Sequence, residues 1–244
     1  MTTHAYMVIN LKRSSDRLAQ LQQQFDRQNM AFTRIDAVDG KSLSQADIAA
    51  VYDGQGGHYH KPLNAGEIGC YLSHRRAWQS IVDNQLDFAI VLEDDITLTG
   101  DLRQYLTVLE SMPNDWDYIK LAGHSRTRQV IHVSDWQGHQ RVVYAKTPAR
   151  TCAQAVSLDG ARKLLANSVS IARPVDIDLQ HWWEKDLRLF GLLPYLGIPN
   201  DALPSTINSV KQRNTAPVDR WLKWKNQWRF YWRNRSENKR RLAR

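Results

Sequence analysis

Phe88-Ala-Ile-Val-Leu-Glu-Asp-Asp95 is the stretch on which the fold turns. Phe88 to Leu92 offer water no polar face, so the segment reads as a central parallel strand covered by helices on both sides. It stops abruptly at Glu93, Asp94 and Asp95. In open α/β sheets ligands bind outside the carboxyl ends of the strands, where loops and helix N-termini converge. Three carboxylates crowded at such an end repel one another unless a cation offsets them. Glu93 and Asp95, one residue apart, point the same way, and carboxylate oxygens suit Mg²⁺ or Mn²⁺, which bridges to a diphosphate. The competing reading is a solvated acidic turn, and the apolar run before it argues against that.

Working upstream, AYMVINL (5–11) is an apolar, β-rich run, and SSDRLAQLQQQFDRQ after it carries Leu18, Leu21 and Phe25 at helical spacing. AFTRIDAVDG returns to strand character, and Ser44 with Asp47 makes a capping box for the next helix. Beyond the loop YDGQGGHYHKP, Asn64 and Glu67 suit the N-cap and N3 of a long helix whose apolar face is Ile68, Leu72, Ile81 and Val82. Downstream, DYIKLAG, RVVYAK and CAQAVSL read as strands, and DGARKLLANS and VDIDLQHWWEKD as helices. The fold class is therefore α/β.

A chain of 244 residues, 42% apolar, buries one sizeable core. The net charge of +8 misleads about where the charge lies. Residues 220–244 hold ten Lys/Arg and one acid, so 1–219 carry about one net negative charge. This divides the chain into a near-neutral catalytic domain, 1–219, and a basic, Trp-rich tail, 220–244. Cys70 and Cys152 lack a C-x-x-C pattern, which fits a reducing cytosol. No apolar run reaches membrane-spanning length, and the N-terminus does not read as a secretory signal.

An ordered series of segments is similar to glycosyltransferase family 25, the bacterial lipopolysaccharide and lipooligosaccharide galactosyltransferases, whose relatives include the collagen galactosyltransferases. The series is VINLKRSSDR (8–17), IDAVDG (35–40), NAGEIGCYLSHRRAW (64–78), IVLEDDI (90–96), TCAQAVSLDGARKLL (151–165) and PVDIDL (174–179). GEIGCYLSH followed about twenty residues later by LEDD is the specific part. The resemblance implies a GT-A-type nucleotide-sugar transferase fold with a Rossmann-like donor half, a UDP-sugar donor (UDP-galactose foremost), Mn²⁺ or Mg²⁺, and inversion at the anomeric carbon. It assigns Glu93 and Asp95 to the metal, and Asn10, Arg13, Arg17, Asp39, Ser73, His74 and Asp94, the acid between the two ligands, to donor binding. Glu67 and Trp78 share the GEIGC stretch, where a helix cap and a core residue are equally good readings. Inversion asks for one carboxylate base, and Asp176 and Asp178 are the candidates, although acids also favour helix starts. Gln154 stands where relatives often carry an aromatic, which bears on acceptor fit or donor packing. His58, His60 and His181 are candidates to complete a metal shell.

Two other classes compete: a metal-dependent phosphohydrolase built on the triplet, and a nucleic-acid-binding module built on the tail. The first lacks a second metal cluster and the neutral body weighs against the second. In the tail, Trp221, Trp224, Trp228 and Trp232 recur at steps of three and four with Tyr231, between lysines and arginines. This predicts an amphipathic helix that docks a cytoplasmic enzyme on the inner face of an anionic membrane, beside a lipid-linked glycan acceptor. The alternative is a stripe packed on the protein's own body, followed by a disordered basic end.

Overall fold

The computed structural model describes residues 2–52, 54, 59–123, 128–200 and 219–243. In chain order the elements are β1 (His4–Asn10), α1 (Ser15–Asp26), β2 (Thr33–Asp36), α2 (Gln45–Val51), α3 (Ala65–Asp83), β3 (Phe88–Glu93), β4 (Ile96–Leu98), α4 (Leu102–Ser111) and β5 (Tyr118–Lys120). They continue with β6 (Val130–Trp136), β7 (His139–Tyr144), β8 (Ala153–Ser157), α5 (Leu158–Ala166), α6 (Val175–Asp178), β9 (Leu189–Leu193), β10 (Gly197–Pro199) and α7 (Arg220–Leu242).

Eight strands form one sheet in the order β2-β1-β3-β8-β5-β9-β7-β6, and β4 with β10 forms a small separate ladder. β1 is parallel to both β2 and β3. The chain thus runs from β1 to a neighbour on one side and then crosses to the other. That reversal opens a crevice outside the strands' carboxyl ends. Side chains alternate as the period of two requires: Tyr6, Val8, Ile90 and Leu92 pack with α1 and α4 on one face. Met7, Ile9, Ala89 and Val91 pack with α3 and α5 on the other.

The sheet is mixed, which corrects the expectation of a central strand parallel on both sides. β3 pairs antiparallel with β8, and β8 antiparallel with β5, so β5 again runs with β3. Asn10, Glu93 and Lys120 therefore end their strands at one edge, where β8 begins. The tight turn at Gln137 and Gly138, both at positive φ (45° and 77°), joins β6 to β7 as a two-residue hairpin. VDIDLQHWWEKD is not one helix: α6 gives way to a 3-10 stretch, Leu179–Lys185, with His181 at φ −91°, ψ 45°.

α7 begins at the N-cap Asp219, whose carboxylate accepts from Leu222 N at 2.8 Å. It rests on the body through its inner face. Asn234 and Asn238 donate to the Ala145 carbonyl at 2.6 and 3.1 Å, and Phe230 meets His181 and Trp183 at 4.9 and 5.4 Å between ring centroids. The tryptophan stripe faces away, with Trp221 and Trp224 66% and 62% exposed, so it does not pack on the body. No helix among the described residues is long and apolar enough to cross a membrane.

Candidate active site

The crevice beyond β1 and β3 is lined by Arg13, Arg17, Asp39, Ser73, His74 and the acidic triplet, so most of the sequence-predicted donor residues share one cleft. Glycine sets how closely its walls approach. A Cβ on Gly40 would lie 2.0 Å from the Ala65 carbonyl oxygen, and one on Gly69 would lie 2.7 Å from that of Val38. The loop after β2 therefore sits directly against the first turns of α3. Ser73 fastens it there, accepting from Val38 N at 2.8 Å while donating to the Gly69 carbonyl at 2.7 Å.

The three acids hold different stations. Glu93 accepts from His74 Nε2 at 3.0 Å and from the Thr151 hydroxyl. Burial alone would raise its pKa, and these two partners hold it below the ordinary value instead. His74 is itself buried, and its Nδ1 faces the Gln154 amide nitrogen at 3.1 Å, while Gln154 Oε1 accepts from Tyr118. An amide N–H facing Nδ1 makes that nitrogen the acceptor, so the proton sits on Nε2, toward Glu93. Gln154, fully buried, is thus a relay that orients His74.

Asp94 accepts from Asn10 Nδ2 at 2.7 Å and Arg17 at 3.3 Å, and burial still leaves its pKa raised. Asn10, 1% exposed, holds Asp94 and accepts from Arg34 Nε. Arg13 pairs with Asp39, which also caps the 3-10 turn Gly40–Ser42 through Lys41 N. Asp95 is the unsatisfied member: burial, then the charges of Glu93 and Asp94, push its pKa up to about 7. Its Oδ1 is buried with no hydrogen-bond partner. A bound cation would supply what that oxygen lacks. Ligand atoms of Glu93, Asp95 and Cys152 lie within 4.8 Å of one another, as do those of Cys70, His74 and Glu93. Burial pushes both thiols up, leaving carboxylates as the anionic donors, a set that fits Mn²⁺ or Mg²⁺.

The two candidate bases part company. Asp178 is buried, and accepts from the Tyr71 hydroxyl at 2.6 Å while pairing with Arg173 and Lys185 at 2.9 Å each. Burial would raise its pKa; Lys185 chiefly, with Tyr71 and Arg173, holds it below normal. A carboxylate so occupied takes a proton poorly, which weighs against Asp178 as the base. Asp176 is half-buried, accepts from the backbone N–H of Arg150 and Ile177, and its charge reaches Cys70 and Lys120 beside the triplet. Lys120 went unnoticed in the sequence: burial lowers its pKa to about 8, with Cys152, Asp176 and Glu93 opposing. A lysine closing the apolar run YIK was the available signal.

Glu67 and Asn64 form the expected capping box, at 2.8 and 3.0 Å, and Trp78 is a core residue against Tyr71 and His74. His60 and His181 line a different groove, beneath α7, which removes them from the metal shell. His58 lies outside the described residues.

Residues 3–179 match the profile described as glycosyltransferase family 25 (LPS biosynthesis protein). Procollagen galactosyltransferase 1 of Danio rerio is 32% identical over 79% of this chain and 35% of its own length. Procollagen galactosyltransferase 1-B of Xenopus laevis is 32% identical over 82% of this chain and 36% of its own. Another relative, from Bos taurus, bears the name "Probable inactive glycosyltransferase 25 family member 3" and is 30% identical over 79% of this chain and 36% of its own length. The chain spans about a third of the length of these curated relatives. With residues 3–179, well over half of the chain, matching that profile, this protein belongs to glycosyltransferase family 25.

Proposed function

We propose that the protein is an inverting galactosyltransferase of the GT-A type, moving galactose from UDP-galactose to a lipopolysaccharide or lipooligosaccharide acceptor. The observation that carries this is the orphaned, buried Asp95 Oδ1 beside Glu93 at the end of β3. Glu93 and Asp95 would hold Mn²⁺, which offsets the charge that grows on a departing diphosphate. His74 and Thr151 keep Glu93 ionised and aimed, and Asn10 with Arg17 holds Asp94 in position. Arg13 and Arg17, on the same cleft wall, supply the guanidinium donors a nucleotide phosphate needs. Asp176 takes the proton from the acceptor hydroxyl as that oxygen attacks the anomeric carbon from the face opposite the leaving UDP.

The test is a panel of nucleotide sugars scored for transfer with Mn²⁺, with Mg²⁺ and in excess chelator, for the wild type and Asp95→Asn. Transfer that needs the metal and falls by about 10²-fold or more in the variant is expected. Turnover indifferent to chelator would overturn the metal assignment, and phosphate release from simple phosphomonoesters would favour a phosphohydrolase.

The outward face of α7 belongs to the same reading. On it Trp221, Trp224, Trp228 and Trp232 are each more than half exposed, among basic neighbours. Such a face suits the headgroup level of an anionic bilayer. We place the enzyme there, on the cytoplasmic side of the inner membrane. Flotation with phosphatidylglycerol vesicles should be strong for the wild type and weak for Trp224→Ser/Trp228→Ser; equal flotation of the two removes the membrane assignment.

A further inference from the structure

Between the inner face of α7 and the body lies a groove of about 820 Å³, separate from the acidic cleft. Only one sign of charge lines it. Lys146, Arg173, Lys223, Arg235 and Lys239 face it, and among the described residues lining it there is no Asp or Glu. In a molecule whose body is nearly neutral, a cleft of one sign between low-dielectric walls concentrates anions. Arg173 is committed to Asp178 and Glu184, so the lysines and Arg235 are the cations left to meet a ligand.

Beyond a few aliphatic side chains, such as Ile131 and Leu242, the remaining lining is of two kinds. Carboxamides recur, with Gln129, Gln180, Gln227, Asn234 and Asn238, and aromatic rings stand among them, including Tyr59, His181, Phe230 and Tyr231. Asn238 is 6% exposed; its Nδ2 donates to the Ala145 carbonyl, which fixes the amide's orientation, and its Oδ1 is buried with no hydrogen-bond partner. A lone buried carbonyl oxygen calls for a donor, which hydroxyl groups supply and a bare anion does not. Rings with carboxamides between them suit a ligand with apolar faces and hydroxyl edges. Negative charge and hydroxyl donors in one extended ligand describe an acidic oligosaccharide.

The groove also abuts the chemistry. Ile177 of α6 lines it, and the preceding Asp176 sits on the Arg150 backbone at the approach to β8, on the triplet's side. α7, which forms one wall, lies beyond residues 3–179, the segment that the family profile matches.

We infer that this groove is the acceptor site and that it selects an acidic oligosaccharide, phosphorylated or carboxylated, through Lys146, Lys223, Arg235, Lys239 and the Asn238 oxygen. The inference rests on the glycosyltransferase reading above, while its test reads binding alone. Full-length protein is titrated calorimetrically at about 0.15 M salt with a heparin-derived tetrasaccharide and with neutral maltotetraose. Lys223→Glu/Arg235→Glu alters the groove. Lys225→Glu/Arg229→Glu changes the charge equally on residues that do not line it. The acidic sugar should bind at least about tenfold tighter than the neutral one, lose about tenfold or more in the groove variant and change by less than about threefold in the control. UDP affinity, measured in parallel, should be the same in all three proteins; its absence in every one would count against the donor reading and leave the groove result standing. Equal binding of the two sugars, or equal losses in the two variants, overturns the inference. So does a groove variant that keeps the tetrasaccharide and loses phosphatidylglycerol vesicles, since the groove then serves lipid headgroups.

Discussion

Asp178→Asn separates a structural carboxylate from a catalytic one. Asp178 is 5% exposed, between Arg173 and Lys185, themselves 6% and 4% exposed. Asparagine keeps the shape and an acceptor for Tyr71 but removes the charge that both cations face. Arg173 retains Glu184 at 2.7 Å; no other ion pair of Lys185 occurs among the described residues. Breaking a buried pair costs about 3–5 kcal/mol, and Glu184's hold on Arg173 puts the expected loss near the lower end. For a protein of this size about 3 kcal/mol corresponds to a Tm lowered by roughly 6–12 °C. The assay pairs thermal unfolding followed by near-UV circular dichroism with initial transfer rates at a temperature well below both transitions. Expected is a large drop in Tm with kcat of the folded protein changed far less than the 10²- to 10⁴-fold typical of a missing general base. An unmoved Tm with a rate loss of that size would refute the structural assignment and restore Asp178 as the base.

Gly40→Ala should lower both stability and UDP affinity, because its Cβ would stand 2.0 Å from the Ala65 carbonyl oxygen and drive the Asp39 turn off α3. Overpacking of this kind costs about 1–3 kcal/mol, and calorimetric UDP binding together with a melt checks it; two unchanged values would show that the wall does not need the close approach. Gln154→Leu leaves His74 Nδ1 and the Tyr118 hydroxyl without their partner, which should destabilise the fold by about 1–3 kcal/mol and reduce kcat while UDP affinity holds. A pH effect is expected from His181, whose pKa burial lowers from 6.5 to about 4, with Arg173 adding to the shift. A folded-state pKa below the unfolded one gives stability that is full above about pH 6.5 and lost as pH falls toward 4. The wild-type Tm should therefore decline across that window, and His181→Gln should flatten the decline.

What could be read in the sequence was what local pattern dictates. FAIVL buried on both faces, the triplet at its end and the Asn64–Glu67 cap all depend on residues within a few positions of one another, and all stand as expected. Strand direction is different: a strand covered on both sides is equally apolar whichever way it runs, so the antiparallel entry of β8 beside β3 left no local mark. The sorting of Asp176 from Asp178 was likewise invisible, because two acids at a helix start look alike. Tyr71, 107 positions away, helps to close the lone pairs of one of them and not of the other. His74 and Gln154 are 80 apart, which hid the relay behind what looked like an isolated departure from a family pattern.

The C-terminal helix shows how a correct pattern can carry an incomplete inference. Its aromatic stripe marks one face, and a hydropathy argument makes that face the one a helix turns toward its own protein. Here the docked face is the polar one. Phe230, Asn234 and Asn238 recur at steps of four, and the two carboxamides reach the Ala145 carbonyl just past the end of β7, while Arg241 lies 4.3 Å from the Phe190 ring centroid. Carboxamide donors at a strand-end carbonyl that the helix itself covers can orient that helix without any apolar stripe, since a covered carbonyl left unpaired would cost about 1–3 kcal/mol. The tryptophans are then free to face outward. Leaving such a row of large rings at a protein surface is unfavourable in water alone, and it ceases to be so when the surface is a bilayer interface. The two faces of α7 therefore differ in what they offer: the aromatic side is one that a bilayer interface would accept, and the side bearing carboxamides and cations closes the groove we propose for the acceptor.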